Sequence, residues 1–345
     1  MNPGFKHPFL SPLGISWHIN ISWHISGKLV TRCIISTSVT TNQSSLAKSP
    51  NSLSMSGRVQ EFKWSWKGQA MTIAYEVLGE GNPVLLLPAF STISSRAEMH
   101  GLAEQLSEQF QVFVVDWVGF GDSSRPLIDY RPALYHAFLR DFVRSMFSQP
   151  VVAIAAGHSA GFIMQIAHQD PCPWSYVILT APTWRGPLPT MGNHRWFYKR
   201  VQQLIGLPIV GQFLYLLNTF PWFLRWMMGR HVYGDSKNIT RNLITEKWRI
   251  TQQRNARFAS AAFVTGALDP IRTRQEFIDY FQPLPVPVLM VIGEQTPPKS
   301  REEMEFVVHF SGVQVYRMPG SLGLHEEYSR TLMSGILPFL TKVLS

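Results

Sequence analysis

The chain has 345 residues, of which 45% are hydrophobic, 12% aromatic and 15% charged. This apolar content is enough to build a core and excludes a chain that is disordered throughout, while 24 Gly and 24 Pro residues are too few for a collagen-like or low-complexity protein. The formal net charge is +9. Only Cys33 and Cys172 are present, which excludes a disulfide framework and a Cys-based zinc site.

The first 58 residues have the composition of a targeting segment. They contain five Lys or Arg and sixteen Ser or Thr, and no Asp or Glu precedes Glu61. A Ser-rich, basic and acid-free leader is typical of organelle transit peptides, and its low share of Arg favours the plastid over the mitochondrion. We therefore predict a disordered leader over 1–58 and a location in the chloroplast. The alternative is a cytoplasmic protein that starts at Met55.

The sequence after the leader alternates between short apolar segments and amphipathic ones. Strands are predicted over 61–66, 69–78, 83–87, 110–116, 151–156, 176–180, 286–292 and 313–318, and helices over 95–109, over 131–147 and after residues 160, 299 and 325. Nearly continuous apolar strands that alternate with helices are typical of a parallel sheet covered on both faces. The pattern predicts an α/β fold.

One serine lies at a predicted turn between a buried strand and a helix. Residues 157–161 read GHSAG and directly follow the apolar strand at 151–156. A Gly-x-Ser-x-Gly segment in this position is a nucleophile elbow, in which the flanking glycines make room for a strained turn and the serine hydroxyl projects above the sheet. Ser159 is therefore a candidate nucleophile. The helix that begins at Ala160 directs its positive N-terminus at a developing oxyanion.

Two further segments make the chain resemble the α/β-hydrolase superfamily. Residues 116–123 (DWVGFGDS) are similar to the D-x-x-G-x-G-x-S loop that follows the fourth strand in that family, where it is structural. Residues 87–90 (LPAF) occupy the place of its His-Gly-x oxyanion loop. The resemblance covers roughly residue 61 to the C-terminus and is to the plastid type of plants and cyanobacteria. It implies a mostly parallel eight-stranded sheet with helices on both faces and an inserted helical cap.

The resemblance also implies roles for residues around the elbow. The backbone N–H groups of Phe90 and Ala160 are expected to hold the oxyanion, with Ser91 in reserve. The family places its catalytic histidine after the last strand, where the segment GSLGLHEE contains His325. His325 is therefore expected to act as the general base for Ser159.

Two carboxylates are candidates for the acid of the triad. The position where the family has Asp, after the seventh strand, corresponds to Thr296, and Glu294 is the nearest carboxylate. Asp269 is the runner-up, although Asp followed by Pro is also the signature of a helix N-cap and first turn. His158 lies next to the nucleophile on the elbow and is interpreted as structural.

The segment 184–268 is predicted to be the helical cap, because it shows no strand pattern. It contains twelve Lys or Arg against two acidic residues, together with fourteen aromatic residues. This composition favours either a surface that rests on an anionic membrane or an aromatic pocket roof with solvated Arg side chains. Residues 201–224 are uncharged and long enough to span a bilayer, but Pro and Gly interrupt them. Nucleic-acid binding fits the charge but lacks any motif.

The predicted folded part consists of a core in two pieces, over 59–183 and 269–345, with the cap over 184–268 between them. The expected function is a serine hydrolase of the carboxylesterase, lipase or thioesterase type, with a small hydrophobic ester as substrate and no metal or organic cofactor. One alternative is acyl transfer by the same serine. The other is a non-hydrolytic binding or scaffold protein on the same fold, because the acid expected at Thr296 is missing.

Overall fold

In the N-terminal region the structure describes two short strands. The computed structural model describes residues 18–22, 34–38, 58–192 and 195–344. Strand β1 (His18–Ser22) pairs antiparallel with β2 (Ile34–Ser38). Both strands fall in the range predicted as a disordered leader, whose other residues up to 57 lie outside the described residues. Residues 1–54 and 55–345 form separate units, and the chloroplast location stays a prediction.

An eight-stranded sheet organises the second unit. Its strands are β3 (Gln60–Trp66), β4 (Gln69–Leu78), β5 (Pro83–Leu87), β6 (Gln111–Val115), β7 (Val151–Ala156), β8 (Trp174–Thr180), β9 (Val288–Gly293) and β10 (Val313–Met318). They lie in the order β10-β9-β8-β7-β5-β6-β4-β3. β4 pairs antiparallel with β3 and β6, and the other neighbouring pairs are parallel. The predicted α/β class with a mostly parallel sheet is confirmed.

Helices connect the parallel strands and fill the long segment between β8 and β9. They are α1 (His100–Leu106), α2 (Pro132–Met146), α3 (Ser159–Ala167), α4 (Pro187–Met191), α5 (Arg195–Gly206), α6 (Pro208–Asn218), α7 (Pro221–Met227), α8 (Arg241–Thr251), α9 (Ala256–Val264), α10 (Arg274–Asp279), α11 (Pro298–Val307), α12 (Leu324–Glu327) and α13 (Ser329–Leu344). Every residue of β7 and β9 is buried, as expected for central strands covered on both faces.

The helix predicted over 95–109 forms as two elements. A 3₁₀ turn (Arg96–Met99) precedes α1, and such turns are frequent at helix N-termini. Arg96 and Glu98 are both buried. The turn therefore brings two charged side chains into the interior, close to the end of β5.

The segment predicted as the cap is mainly helical in its described part. Within 184–192 and 195–268 the chain forms helices and turns, and no strand. An apolar cluster separate from the main core joins Leu224, Met228, Tyr233, Ile239 and Ile244 to Ile93. Because Ile93 belongs to the loop after β5, the cap packs above the carboxyl end of that strand.

The uncharged stretch 201–224 is divided among three helices. α5 ends at Gly206, and Pro208 and Pro221 are the first residues of α6 and α7, a position where proline is favoured. Among the described residues no helix combines the length and the apolar character that crossing a bilayer requires.

Candidate active site

The turn between β7 and α3 has the geometry of a nucleophile elbow. Gly157 has a φ of +51°, in the left-handed region that favours glycine, and Ser159 starts α3 two residues later. A Cβ atom at Gly161 would lie 2.8 Å from Cγ of Pro270. The first glycine of the motif is therefore required by the backbone and the second by packing. Ser159 itself is fully buried.

The hydroxyl of Ser159 is held by the loop after β5 and by an indole. Oγ donates a hydrogen bond of 2.5 Å to the carbonyl O of Pro88. Nε1 of Trp117 lies 2.8 Å from the same carbonyl and 3.1 Å from Oγ, so its N–H is shared between two acceptors. Trp117 follows the Asp of the D-x-x-G loop and is not among the site residues that the sequence predicts.

The two predicted oxyanion donors are carried by α3 and by the loop after β5. The N–H of Ala160 lies 3.3 Å from the carbonyl O of Gly157. Phe90 has a buried ring that stacks on Trp117, with centroids 4.6 Å apart. This aromatic contact fixes the loop near Ser159. The roles of both N–H groups as oxyanion donors stay predictions.

His325 lies in α12, after the last strand, as predicted. It is buried, and its Nε2 lies 3.2 Å from Oε1 of Glu98. Glu98 is buried as well, and the same oxygen accepts a hydrogen bond of 2.5 Å from the N–H of Ala89. The hydroxyl of Ser159 is directed at Pro88 rather than at the imidazole. The structure therefore joins the histidine to a carboxylate but leaves the serine turned away.

Glu294, the carboxylate that the sequence favours as the acid, is not brought to His325. Its N–H donates 2.9 Å to the carbonyl O of Met318 and so continues the pairing of β9 with β10, while its side chain is exposed. Thr296, at the family's acid position, is buried and cannot ionise. The carboxylate that does contact the histidine is Glu98, which the sequence does not single out.

Asp269, the runner-up acid, contacts His158 rather than His325. Its Oδ1 lies 3.3 Å from Nε2 of His158 and accepts a hydrogen bond of 2.9 Å from the N–H of Gly186. Burial lowers the pKa of His158 to about 4. Burial raises the pKa of Asp269 to about 7, against the opposing effects of Gly186 and Arg185. These contacts support the structural interpretation of His158.

Replacing Asp269 by Asn is expected to stabilise the protein at neutral and higher pH. The folded-state pKa of about 7 exceeds the usual value of 3.8. As the pH rises, the Asp269 carboxyl therefore ionises in the unfolded chain before it does so in the folded protein. The free energy of unfolding falls as the pH rises between these two pKa values. Asp269→Asn removes this loss and keeps an acceptor for Gly186.

Urea denaturation measures this effect directly. We expect the variant to have a free energy of unfolding higher by on the order of 2–4 kcal/mol at pH 8, and a much smaller advantage at pH 4. An advantage that is the same at both pH values would show that the carboxyl group is not the cause.

A lysine from the cap contacts the residue that follows the histidine. Lys247 of α8 is buried, and its Nζ lies 2.8 Å from Oε1 of Glu326, the residue after His325. Burial opposes the charged form of Lys247, but the attraction of Glu326 and Glu98 outweighs it and raises the pKa. A charged ammonium thus joins the cap to the element that carries the histidine.

The buried carboxyl of Glu98 is held in its ionised form. Burial acts to raise its pKa, but the contact with His325, the charge of Lys247 and the N–H of Ala89 together hold the pKa below its ordinary value. A carboxylate that stays ionised beside a histidine orients the imidazole and stabilises the imidazolium. Glu98 therefore has the electrostatic properties of a triad acid.

A buried ion network fixes the segments that carry Glu98 and Trp117. Arg96 donates from Nε to Oε1 of Glu76 at 2.7 Å and from its N–H to Oδ1 of Asp116 at 2.6 Å, and its Nη1 also bonds to Asp116. Arg96 precedes Glu98 by two residues, and Asp116 directly precedes Trp117. The D-x-x-G loop is therefore structural, as the resemblance implies.

The fold is shared with solved enzyme structures at low sequence identity. A thermophilic esterase from Thermogutta terrifontis aligns with a TM-score of 0.65 and 19% identity, over 83% of this chain and 100% of the esterase chain. A bromoperoxidase from Bacillus anthracis aligns with a TM-score of 0.63 and 16% identity, over 82% of this chain and 100% of the other. At these identities the similarity shows the fold alone.

Sequence relatives and a family model complete the comparison. Uncharacterized proteins of Mycobacterium tuberculosis and Mycobacterium bovis are 29% identical over 98 residues, so the chain spans only 28% of the length of these curated relatives. The model of the alpha/beta hydrolase family matches residues 84–325, which include Ser159 and His325. The chain therefore belongs to the alpha/beta hydrolase family.

Proposed function

We propose that the protein is a serine hydrolase that cleaves esters with a hydrophobic portion. Ser159 is the nucleophile, His325 the general base and Glu98 the acid of the triad. The observation that supports this most is the buried pair of His325 and ionised Glu98, 3.2 Å apart. Glu98 supplies the carboxylate that is missing at Thr296. It comes from the turn after β5, whereas Thr296 lies in the turn after β9.

The first step activates the serine. The hydroxyl of Ser159 leaves the carbonyl of Pro88 and passes its proton to the ring nitrogen of His325 that does not face Glu98. Glu98 stabilises the imidazolium that forms. A turn of the hydroxyl away from Pro88 is required, and catalytic hydrogen bonds commonly tighten only when substrate is bound.

The second step forms and breaks the acyl-enzyme. Oγ of Ser159 bonds to the ester carbonyl carbon, and the N–H groups of Phe90 and Ala160 stabilise the negative oxygen. The imidazolium of His325 then protonates the leaving alcohol as the carbon–oxygen bond breaks. Water, deprotonated by the same imidazole, attacks the acyl carbon and releases the acid and the free serine.

The cap supports an apolar substrate. Ser159 and His325 are both buried, so the proposal requires the cap to move away from the loop after β5 when substrate enters. The cap meets that loop through an apolar cluster that contains Ile93. A passage opened there has apolar walls, which suit a hydrophobic acyl or alcohol group.

Two observations favour a second candidate, a non-hydrolytic binding protein on the same fold. Ser159 bonds to Pro88 rather than to His325. The carboxylate of Glu98 also occupies the N–H of Ala89 in the loop that should stabilise an oxyanion, and a negative charge there opposes a second one. Acyl transfer is a further variant that differs from hydrolysis only in the acceptor that replaces water.

A panel of p-nitrophenyl esters from acetate to palmitate separates these candidates. Hydrolysis predicts steady release of p-nitrophenol, with kcat/KM rising from the shortest esters to those of medium or long chain. Acyl transfer predicts release that accelerates when an alcohol acceptor is added. No release above the buffer rate for any ester would contradict the hydrolase proposal and support a binding role.

A further inference from the structure

Two cap helices present an apolar face to solvent. Several large apolar side chains of α6, α7 and the two residues between these helices are exposed, and five of them are Ile209, Phe213, Phe220, Trp222 and Trp226. Ile209 is 84% exposed, Phe213 61% and Trp222 64%. Apolar side chains that are this exposed and this close in the chain mark an interaction surface. We call these five side chains the cap apolar face.

The helical spacing shows that this exposure belongs to one side of α6. Gly211, Tyr215 and Thr219 are buried and follow one another at intervals of four residues, so they form the inward side. Ile209 and Phe213 repeat at the same interval on the other side and are exposed. The outer side of α6 therefore carries large apolar side chains, whereas a helix at a protein–water boundary normally has a polar outer side.

The charge beside the cap apolar face is positive. No Asp or Glu occurs within 171–234. Arg225 lies between the two exposed Trp residues of α7, and Arg230 follows that helix; both are exposed. Arg257 reaches α6 from α9 and donates to Oε1 of Gln212 at 2.8 Å. The segment that carries these side chains therefore combines exposed aromatic rings with cations and contributes no acidic residue of its own.

A lipid surface matches this combination better than another protein surface does. Trp and Phe side chains sit at the headgroup level of bilayers, while Arg contacts anionic headgroups. A second copy of the same face would bring like charges together. α6 and α7 have 11 and 7 residues, so they fit an arrangement in the plane of the interface rather than across the bilayer.

We propose that the cap apolar face inserts into the headgroup region of an anionic lipid bilayer, with Arg225 and Arg230 against the lipid phosphates. This surface is independent of the chemistry at Ser159. It lies on the cap close to the proposed substrate entrance, because α7 packs against α8, the helix that carries Lys247. Lipid binding and substrate entry are thereby brought to the same side of the molecule.

Vesicle co-sedimentation of the full chain tests the proposal. The probes are vesicles of phosphatidylcholine alone and of phosphatidylcholine with 30% phosphatidylglycerol. We expect the wild type to sediment with the anionic vesicles. The triple variant Phe213→Ser/Trp222→Ser/Trp226→Ser should lose about tenfold or more of its partition coefficient, because three large apolar groups no longer enter the lipid.

Two further variants separate the contributions. Phe306→Ser removes an exposed ring from α11, which lies outside the cap. This variant should bind like the wild type. Arg225→Gln/Arg230→Gln should bind anionic vesicles several-fold more weakly, and the remaining binding should depend less on salt. Hydrolysis of a short soluble ester and the unfolding temperature should be unchanged in the triple variant, because its three side chains are exposed and do not belong to the proposed triad.

Three results would overturn the proposal. The first is equal binding of the wild type and the triple variant, which would assign binding to another part of the chain. The second is equal binding to neutral and anionic vesicles. The third is a concentration-dependent dimer that the triple variant abolishes, together with no vesicle binding by the wild type, which would assign the face to a second copy of the chain.

Discussion

Ester hydrolysis is expected to fall by about 10⁴-fold or more when Ser159 is replaced by Ala. The reason is that no other hydroxyl occupies the elbow between β7 and α3, where Gly157 at a φ of +51° sets the turn. Removing Oγ eliminates the covalent step and leaves only the oxyanion donors and substrate binding. The measurement is kcat/KM for the best p-nitrophenyl ester of the panel.

The control for this variant is to show that the protein still folds, by measuring its unfolding temperature. Ser159 donates to Pro88 and shares the N–H of Trp117, so Ala leaves that N–H with one acceptor. We expect the unfolding temperature to stay within a few degrees of the wild type, because the indole N–H of Trp117 still donates a hydrogen bond to the carbonyl O of Pro88. Residual turnover above about 10% in a folded variant would show that the serine does not carry the reaction.

Glu98→Gln is expected to reduce kcat by about 10²–10⁴-fold. Gln keeps an acceptor for the N–H of Ala89 but cannot stabilise the imidazolium of His325 by charge. It also leaves Lys247 with Glu326 as its remaining partner at close range. The loss should appear in kcat rather than in KM, because the charge of Glu98 matters most once His325 has taken the serine proton.

Glu294→Gln is the matched control for this experiment. It makes the same chemical change in the carboxylate that follows β9, whose side chain is exposed. We expect its turnover to equal that of the wild type. A large loss for Glu294→Gln with normal turnover for Glu98→Gln would return the acid to the loop after β9 and would contradict the placement proposed here.

The sequence predicts well those features that depend on residues close together in the chain. The strands over 151–156 and 313–318 have the same bounds in the structure, because both segments are short, rich in β-branched or aromatic residues and bounded by turn-forming residues. Ser159 is recognisable because its glycines, strand and helix are neighbours in the chain. His325 is recognisable because it follows the last strand.

The acid could not be found in this way, because it depends on a contact between distant parts of the chain. Glu98 lies 227 positions before His325, and the two meet only when the turn after β5 reaches α12. Lys247 is equally hidden, since a lysine on an amphipathic helix is normally solvated. The sequence around Glu98 gives no warning of this contact, because an acidic residue in the first turn of a predicted helix is common.

The most direct test of the central claim is the mass of the adduct that a fluorophosphonate probe forms with the full chain. The proposal predicts a single adduct on the peptide that contains Ser159, absent in Ser159→Ala and slowed strongly in His325→Ala. A folded protein that stays unlabelled, or that is labelled on another residue, would contradict a serine hydrolase that acts through Ser159.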